Sequence, residues 1–163
     1  MKTEQRHNDF PVVFWGSVQV TFEPGLSNLC PTPPLAVVVF AIHKGKFVLA
    51  DIPDRGWTVP SGHIEPSETP ILAAIRETRE EVGAYLTAPI PIGHYILINT
   101  DVKSVCVPTF VGNVAGLGPL PIGTESKGVR EVGIEELPEC YWTWDPLMES
   151  MFKYALDCYN KHL

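Results

Sequence analysis

The stretch from Thr69 to Gly83 constrains this chain more than any other. Thr69 can cap a helix, Pro70 suits its first position because proline lacks an N–H there, and Gly83 can close the C-terminal end. The spacing predicts one helix, Pro70–Val82. At about 100° per residue, Ile71, Ile75, Thr78 and Val82 form one largely apolar stripe, expected to lie on a sheet. Glu77, Glu80 and Glu81 occupy another face, with Ala73 and Ala74 on or beside it leaving room for something to approach. Like charges at these spacings repel by a few tenths of a kcal/mol per pair. They also lie towards the helix C-terminus, where the dipole disfavours negative charge. A solvated face laced with salt bridges is the competing reading. Only Arg76 and Arg79 offset the helical glutamates, however, and Glu65 and Glu68 add more acid just upstream. A hard dication needing oxygen ligands accounts for the pattern.

Around the helix the chain reads as short strands. Val12–Phe22 is rich in β-branched and aromatic residues and ends at the turn Glu23-Pro24-Gly25. Leu26–Pro34 reads as a loop, while Leu35–Ile42 is an apolar run expected of a strand covered on both faces. Lys44-Gly45 turns it into Lys46–Ala50, a hairpin. Trp57–Val59 is a short strand and Pro60–Ser67 a loop. Further strands are expected at Ile90–Asn99, Ser104–Val114 and Gly128–Ile134, with a Gly/Pro-rich connection at Ala115–Gly123. Asp145–His162 reads as a closing helix burying Met148, Met151, Phe152, Ala155 and Leu156. The 16 prolines and 13 glycines favour this reading over a helical bundle. The class is α+β, in a single domain spanning 1–163.

A net charge of −7 argues against binding a nucleic-acid polymer, since that needs Lys and Arg against the backbone phosphates. A small phosphate compound is still within reach if a dication lies between the like charges. Met1–Phe10 lacks the apolar core of a signal peptide, and no apolar run approaches the ~20 residues needed to span a bilayer. A cytoplasmic protein with no membrane association is the expectation. The four cysteines form no C-x-x-C pair and read as reduced, mostly buried thiols.

Gly62-x5-Glu68-x7-Arg76-Glu77-Thr78-Arg79-Glu80-Glu81-Val82-Gly83-Ala84 resembles the Nudix box, residues 62–84, with every fixed position at its spacing. Thr78 and Ala84 stand where the pattern prefers larger aliphatic residues. The resemblance implies a Nudix fold: a mixed β-sheet core sandwiched between the box helix and the C-terminal helix. It also implies a Mg²⁺ or Mn²⁺ site formed by Glu77, Glu80 and Glu81 with a carbonyl near Gly62 and support from Glu68. Arg76 would orient the carboxylates. The general base would be Glu77 or a loop glutamate outside the box, for which Glu125 is the candidate. The implied reaction is hydrolysis of a phosphoanhydride bond in a nucleoside diphosphate linked to another group.

Val18-x-Val20-Thr21-Phe22, Asp54-Arg55-Gly56-Trp57, Glu125-Ser126-Lys127-Gly128 and Glu136-Leu137-Pro138-Glu139 further resemble bacterial nucleoside-triphosphate diphosphatases associated with 8-oxo-dGTP. A nucleoside triphosphate, oxidised or not, would then yield a monophosphate and pyrophosphate. Trp15, Phe47, Tyr95, Trp142 and Trp144 are candidates to line a purine slot. ADP-ribose or nucleotide-sugar hydrolysis is the alternative, although Asn99-Thr100-Asp101-Val102 lacks the proline or tyrosine that marks related subgroups. A nucleotide-binding module without catalysis is the other, and the intact glutamates weigh against it. Dimerisation is expected from the resemblance alone. His63 reads as an ordinary loop residue.

Overall fold

The structure, a computed structural model, describes residues 10–26, 30–99 and 101–163. The stretch 1–9, read as polar, and position 100 in the subgroup comparison lie outside the described residues. The strands are β1 (Val13–Trp15), β2 (Val18–Pro24), β3 (Ala36–His43), β4 (Lys46–Ile52), β5 (Gly56–Thr58), β6 (Ser61–His63), β7 (Ala84–Asn99), β8 (Val102–Leu117) and β9 (Val129–Val132). The helices are α1 (Pro70–Val82), α2 (Leu137–Cys140) and α3 (Pro146–His162).

One mixed sheet runs β1-β2-β7-β8-β3-β4-β5, with β6 also on β3 and β9 also on β4. Among the described strands, only β3 and β8 form a parallel ladder, beside a single parallel bridge between Trp57 and Tyr141. Strand alternation sorts the two faces. Phe40 and Ile42 of β3, with Phe47 and Leu49 of β4, join Leu147, Met151, Phe152 and Ala155 of α3 in one core cluster. Val37, Val39 and Ala41, with Val48 and Ala50, join Ala73, Ala74 and Val82 of α1 in the other. The expected sandwich is present, and the run Leu35–Ile42 is apolar throughout because β3 is covered on both sides.

The two main helices end where their caps dictate. The Thr69 hydroxyl accepts from the Leu72 N–H at 3.3 Å, and Gly83 takes a left-handed conformation, φ 68°. The Asp145 carboxylate accepts from the Met148 N–H at 2.8 Å. Within α3, Leu156 is only half-buried, while Leu147, Tyr154 and Cys158 join the buried side. No helix among the described residues is long and apolar enough to cross a membrane.

Four expectations need correction. Ile71 is exposed and Ile75 only half-buried, whereas Ala73 and Ala74 are fully buried beside Glu77, Thr78, Glu81 and Val82. The two alanines leave no approach space, because their small side chains let α1 settle closely onto the sheet. This turns the face carrying Glu77 and Glu81 inwards. The loop at Pro60–Ser67 contains strand β6. Finally, Cys30 and Cys106 form a disulfide, with Cα atoms 5.9 Å apart. Their separation of 76 residues concealed a proximity created only by the fold. Cys140 and Cys158 are free thiols.

Candidate active site

The site forms where β6 rests on β3, pairing Ala36 with His63, Val37 with Gly62 and Val38 with Ser61. This places the loop before α1 against the helix's inward face. A Cβ at Gly62 would lie 2.2 Å from the Glu77 carboxyl carbon, so glycine is required for the Glu77 carboxylate to approach the backbone. The neighbouring Ser61 N–H donates to Glu81 Oε1 at 2.7 Å.

Arg76 organises the rest. Its Nε and Nη2 donate to the two oxygens of Glu68 at 2.8 and 2.9 Å, a fork-to-fork pair. Its Nη1 donates to Glu77 Oε1 at 2.7 Å and Glu80 Oε2 at 3.2 Å, and Nη2 also reaches the His63 carbonyl at 2.9 Å. One guanidinium thus ties the helix, the loop and three carboxylates together. Hydrogen bonding to Arg76 holds Glu68 below the ordinary carboxylate range.

Glu77 and Glu81 behave differently. Burial raises the Glu77 pKa, with Arg76 opposing the shift. Glu81 is 5% exposed, and burial pushes it up to about 8, helped by the charges of Glu77 and Glu125 and opposed by the Ser61 N–H and by Arg55. Two adjacent buried carboxylates therefore lack sufficient positive charge, and the donor set around them is entirely oxygen. That suits a hard dication. Among the described residues, no three acidic side chains here bring ligand oxygens within 4.8 Å of one another.

Glu125 is exposed, on the loop leading into β9. Thr124 Oγ1 ties that loop to α1 by donating to the Glu80 carbonyl at 2.6 Å, and the Lys127 N–H donates to the Asp51 carbonyl at 2.8 Å. Two adjoining cavities, of about 450 and 610 Å³, share Ser61, Gly62, His63, Glu81 and Glu125. The second also contains Glu65, Arg76, Glu77 and Glu80. The first has walls formed by Trp15, Tyr95, Leu97, Val107, Tyr141 and Trp142.

Of the five aromatic candidates, Trp15, Tyr95 and Trp142 line this cavity, whereas Phe47 and Trp144 pack against Phe152 instead. Sequence reasoning assigned no role to Arg55, the only lysine or arginine lining the first cavity among the described residues. Its place in the turn Asp54-Arg55-Gly56 was the available signal. Tyr141, whose hydroxyl lies 3.3 Å from Thr58 Oγ1, carried none.

A sheet clasped by two helices, with an arginine-ordered glutamate cluster where loop and helix meet, defines a class, and the chain belongs to it: it is a Nudix hydrolase, its residues 32–152 matching the NUDIX domain model. It is 29% identical over 131 residues to YtkD of Bacillus subtilis (strain 168), which bears a provisional 8-oxo-dGTP diphosphatase assignment; the match covers 80% of this chain and 79% of that one. The Bacillus subtilis pyrophosphohydrolase BsRppH, solved in a mutant form, is similar in structure, with a TM-score of 0.71 and 25% identity, covering 88% of this chain and 92% of that one. A NUDIX-family hydrolase from Clostridium perfringens has a TM-score of 0.58 and 26% identity, covering 76% of this chain and 96% of that one.

Proposed function

We propose that the enzyme hydrolyses a nucleoside triphosphate, including oxidised purine forms, to a nucleoside monophosphate and pyrophosphate. The observation carrying this reading is the junction of an aromatic-walled cavity with the glutamate cluster through shared Ser61, Gly62 and Glu81. A base between Trp15, Tyr95 and Trp142 would direct its phosphates towards Glu81 and Glu125. Arg55 is placed to meet a phosphate without being drawn into the Arg76 network. The similarity to YtkD supports the same choice of substrate.

Glu77, Glu80 and Glu81 with the Gly62 carbonyl, supported by Glu68, would hold Mg²⁺ or Mn²⁺. When bound, the ion supplies neutralisation of phosphate charge and a more acidic water. Arg76 sets the carboxylate rotamers. Glu125 is our choice to take the proton from the attacking water, because it is exposed at both cavities while Glu77 is engaged by Arg76. The test is a nucleotide panel in Mg²⁺ with phosphate and pyrophosphate measured separately. Pyrophosphate from triphosphates is expected from wild type, with a large loss in E81Q and E125Q. Turnover confined to ADP-ribose or nucleotide sugars would reject the substrate class. Equal inactivity of wild type and E81Q would favour a binding module.

A further inference from the structure

The one trio of metal-ligand side chains that lies within 4.8 Å of one another among the described residues is far from glutamate in chemistry: Cys30, His94 and Cys106. Tyr95 and Val107 line the cavity wall, so their strand neighbours His94 and Cys106 stand on the reverse face of the sheet. Cys30 precedes β3 and reaches Cys106 from the β2–β3 connection. In this structure the two sulfurs are joined.

We propose that Cys30, Cys106 and His94 form a second metal site, for Zn²⁺ or another thiophilic dication, once a dithiol reductant has opened the disulfide. The reduction transfers two electrons and two protons from the dithiol to the cysteines, leaving the reductant as its own disulfide. Metal binding then displaces both thiol protons.

The backbone suits both states. In a tetrahedral site with bonds of about 2.3 Å to sulfur, two thiolates stand about 3.8 Å apart. Cysteines with Cα atoms 5.9 Å apart reach that separation by side-chain rotation alone. A disulfide has no use for an imidazole, yet His94 has a ring nitrogen within 4.8 Å of both sulfurs. Burial holds His94 below its ordinary range, against the opposing charge of Glu23. A neutral imidazole offers a ring-nitrogen lone pair to a metal. Cys30 and His94 are only half-buried, so an ion has a route in and solvent can occupy the fourth position. Two sulfurs and an imidazole favour zinc-like ions, whereas the all-oxygen glutamate cluster favours magnesium-like ones.

The test uses the whole chain, reduced with a dithiol, desalted without oxygen and titrated with Co²⁺ in excess Mg²⁺. One equivalent of Co²⁺ should bind with thiolate-to-metal charge-transfer absorption, and Zn²⁺ should displace it. The oxidised protein should show no such band. Cys106→Ser should abolish it. His94→Asn, which leaves the disulfide able to form and support the fold, should weaken Co²⁺ binding by at least roughly tenfold, as even outer-shell partners of a metal site cost that much when lost. The proposal is overturned if the disulfide resists the dithiol in the folded protein, if the reduced wild type shows no charge-transfer band, or if His94→Asn leaves affinity and spectrum unchanged.

Discussion

Glu81 carries a cost in stability that its proposed role in the site would explain. Its folded pKa of about 8 lies above that of an unfolded glutamate, so the folded state retains a proton that the unfolded state has lost. In metal-free protein, stability should therefore fall as pH rises from about 4.5 to 8, by up to a few kcal/mol, and then level off. Urea denaturation in chelator at pH 5 and pH 8 measures this. Glu81→Gln should flatten the slope; an unchanged slope would show that another group is responsible. The glutamates, Arg76 and Gly62 were legible at this scale because their spacing is rigid. Arg55 and Tyr141 were not assigned, because their place at the cavity depends on β4, β5 and α2 meeting in space.

At the scale of elements, β6 and α1 act as one unit. The backbone of β6 supplies the surface on which Glu77 and Glu81 lie, so a Cβ at Gly62 must push them apart. Gly62→Ala should reduce turnover severely and lower stability by about 1–3 kcal/mol, the usual range for overpacking. Steady-state kinetics beside a denaturation curve would check both; wild-type turnover would mean that Glu77 need not stand where it does. The boundaries of α1 were readable from Thr69, Pro70 and Gly83, but its rotation was not. Helical periodicity marked Ile71 and Ile75 as inward because they are apolar. Close packing selected Ala73 and Ala74 because they are small. β6 escaped notice because three residues containing a glycine carry no alternation.

Across the whole molecule, the α3 core reaches the cavity through rings. Phe152 is fully buried, its centroid 4.8 Å from that of Phe47, 5.1 Å from Phe40 and 5.0 Å from Tyr141, which lines the cavity. Phe152→Ala should cost about 3–5 kcal/mol. Because Tyr141 loses its support, KM should rise more than kcat falls; a stability loss with both parameters untouched would show that the wall stands without this prop. The α+β class and the two-faced core were visible in the continuous apolar run Leu35–Ile42 and in the α3 pattern. The Cys30–Cys106 bond was not, since no local signal links residues in a loop and a distant strand.

The parallel pairing of β3 with β8, from Val38 opposite Thr109 to Ile42 opposite Asn113, encloses the entire glutamate segment between its two partners in sequence. Contacts between such distant stretches form slowly. A nascent chain halted before Val102 already carries Glu68, Glu77, Glu80 and Glu81, yet lacks β8, the parallel partner of β3, and the loop bearing Glu125. On the proposed assignment of the site, catalytic competence therefore arrives late in synthesis, well after the ribosome has passed the acidic helix.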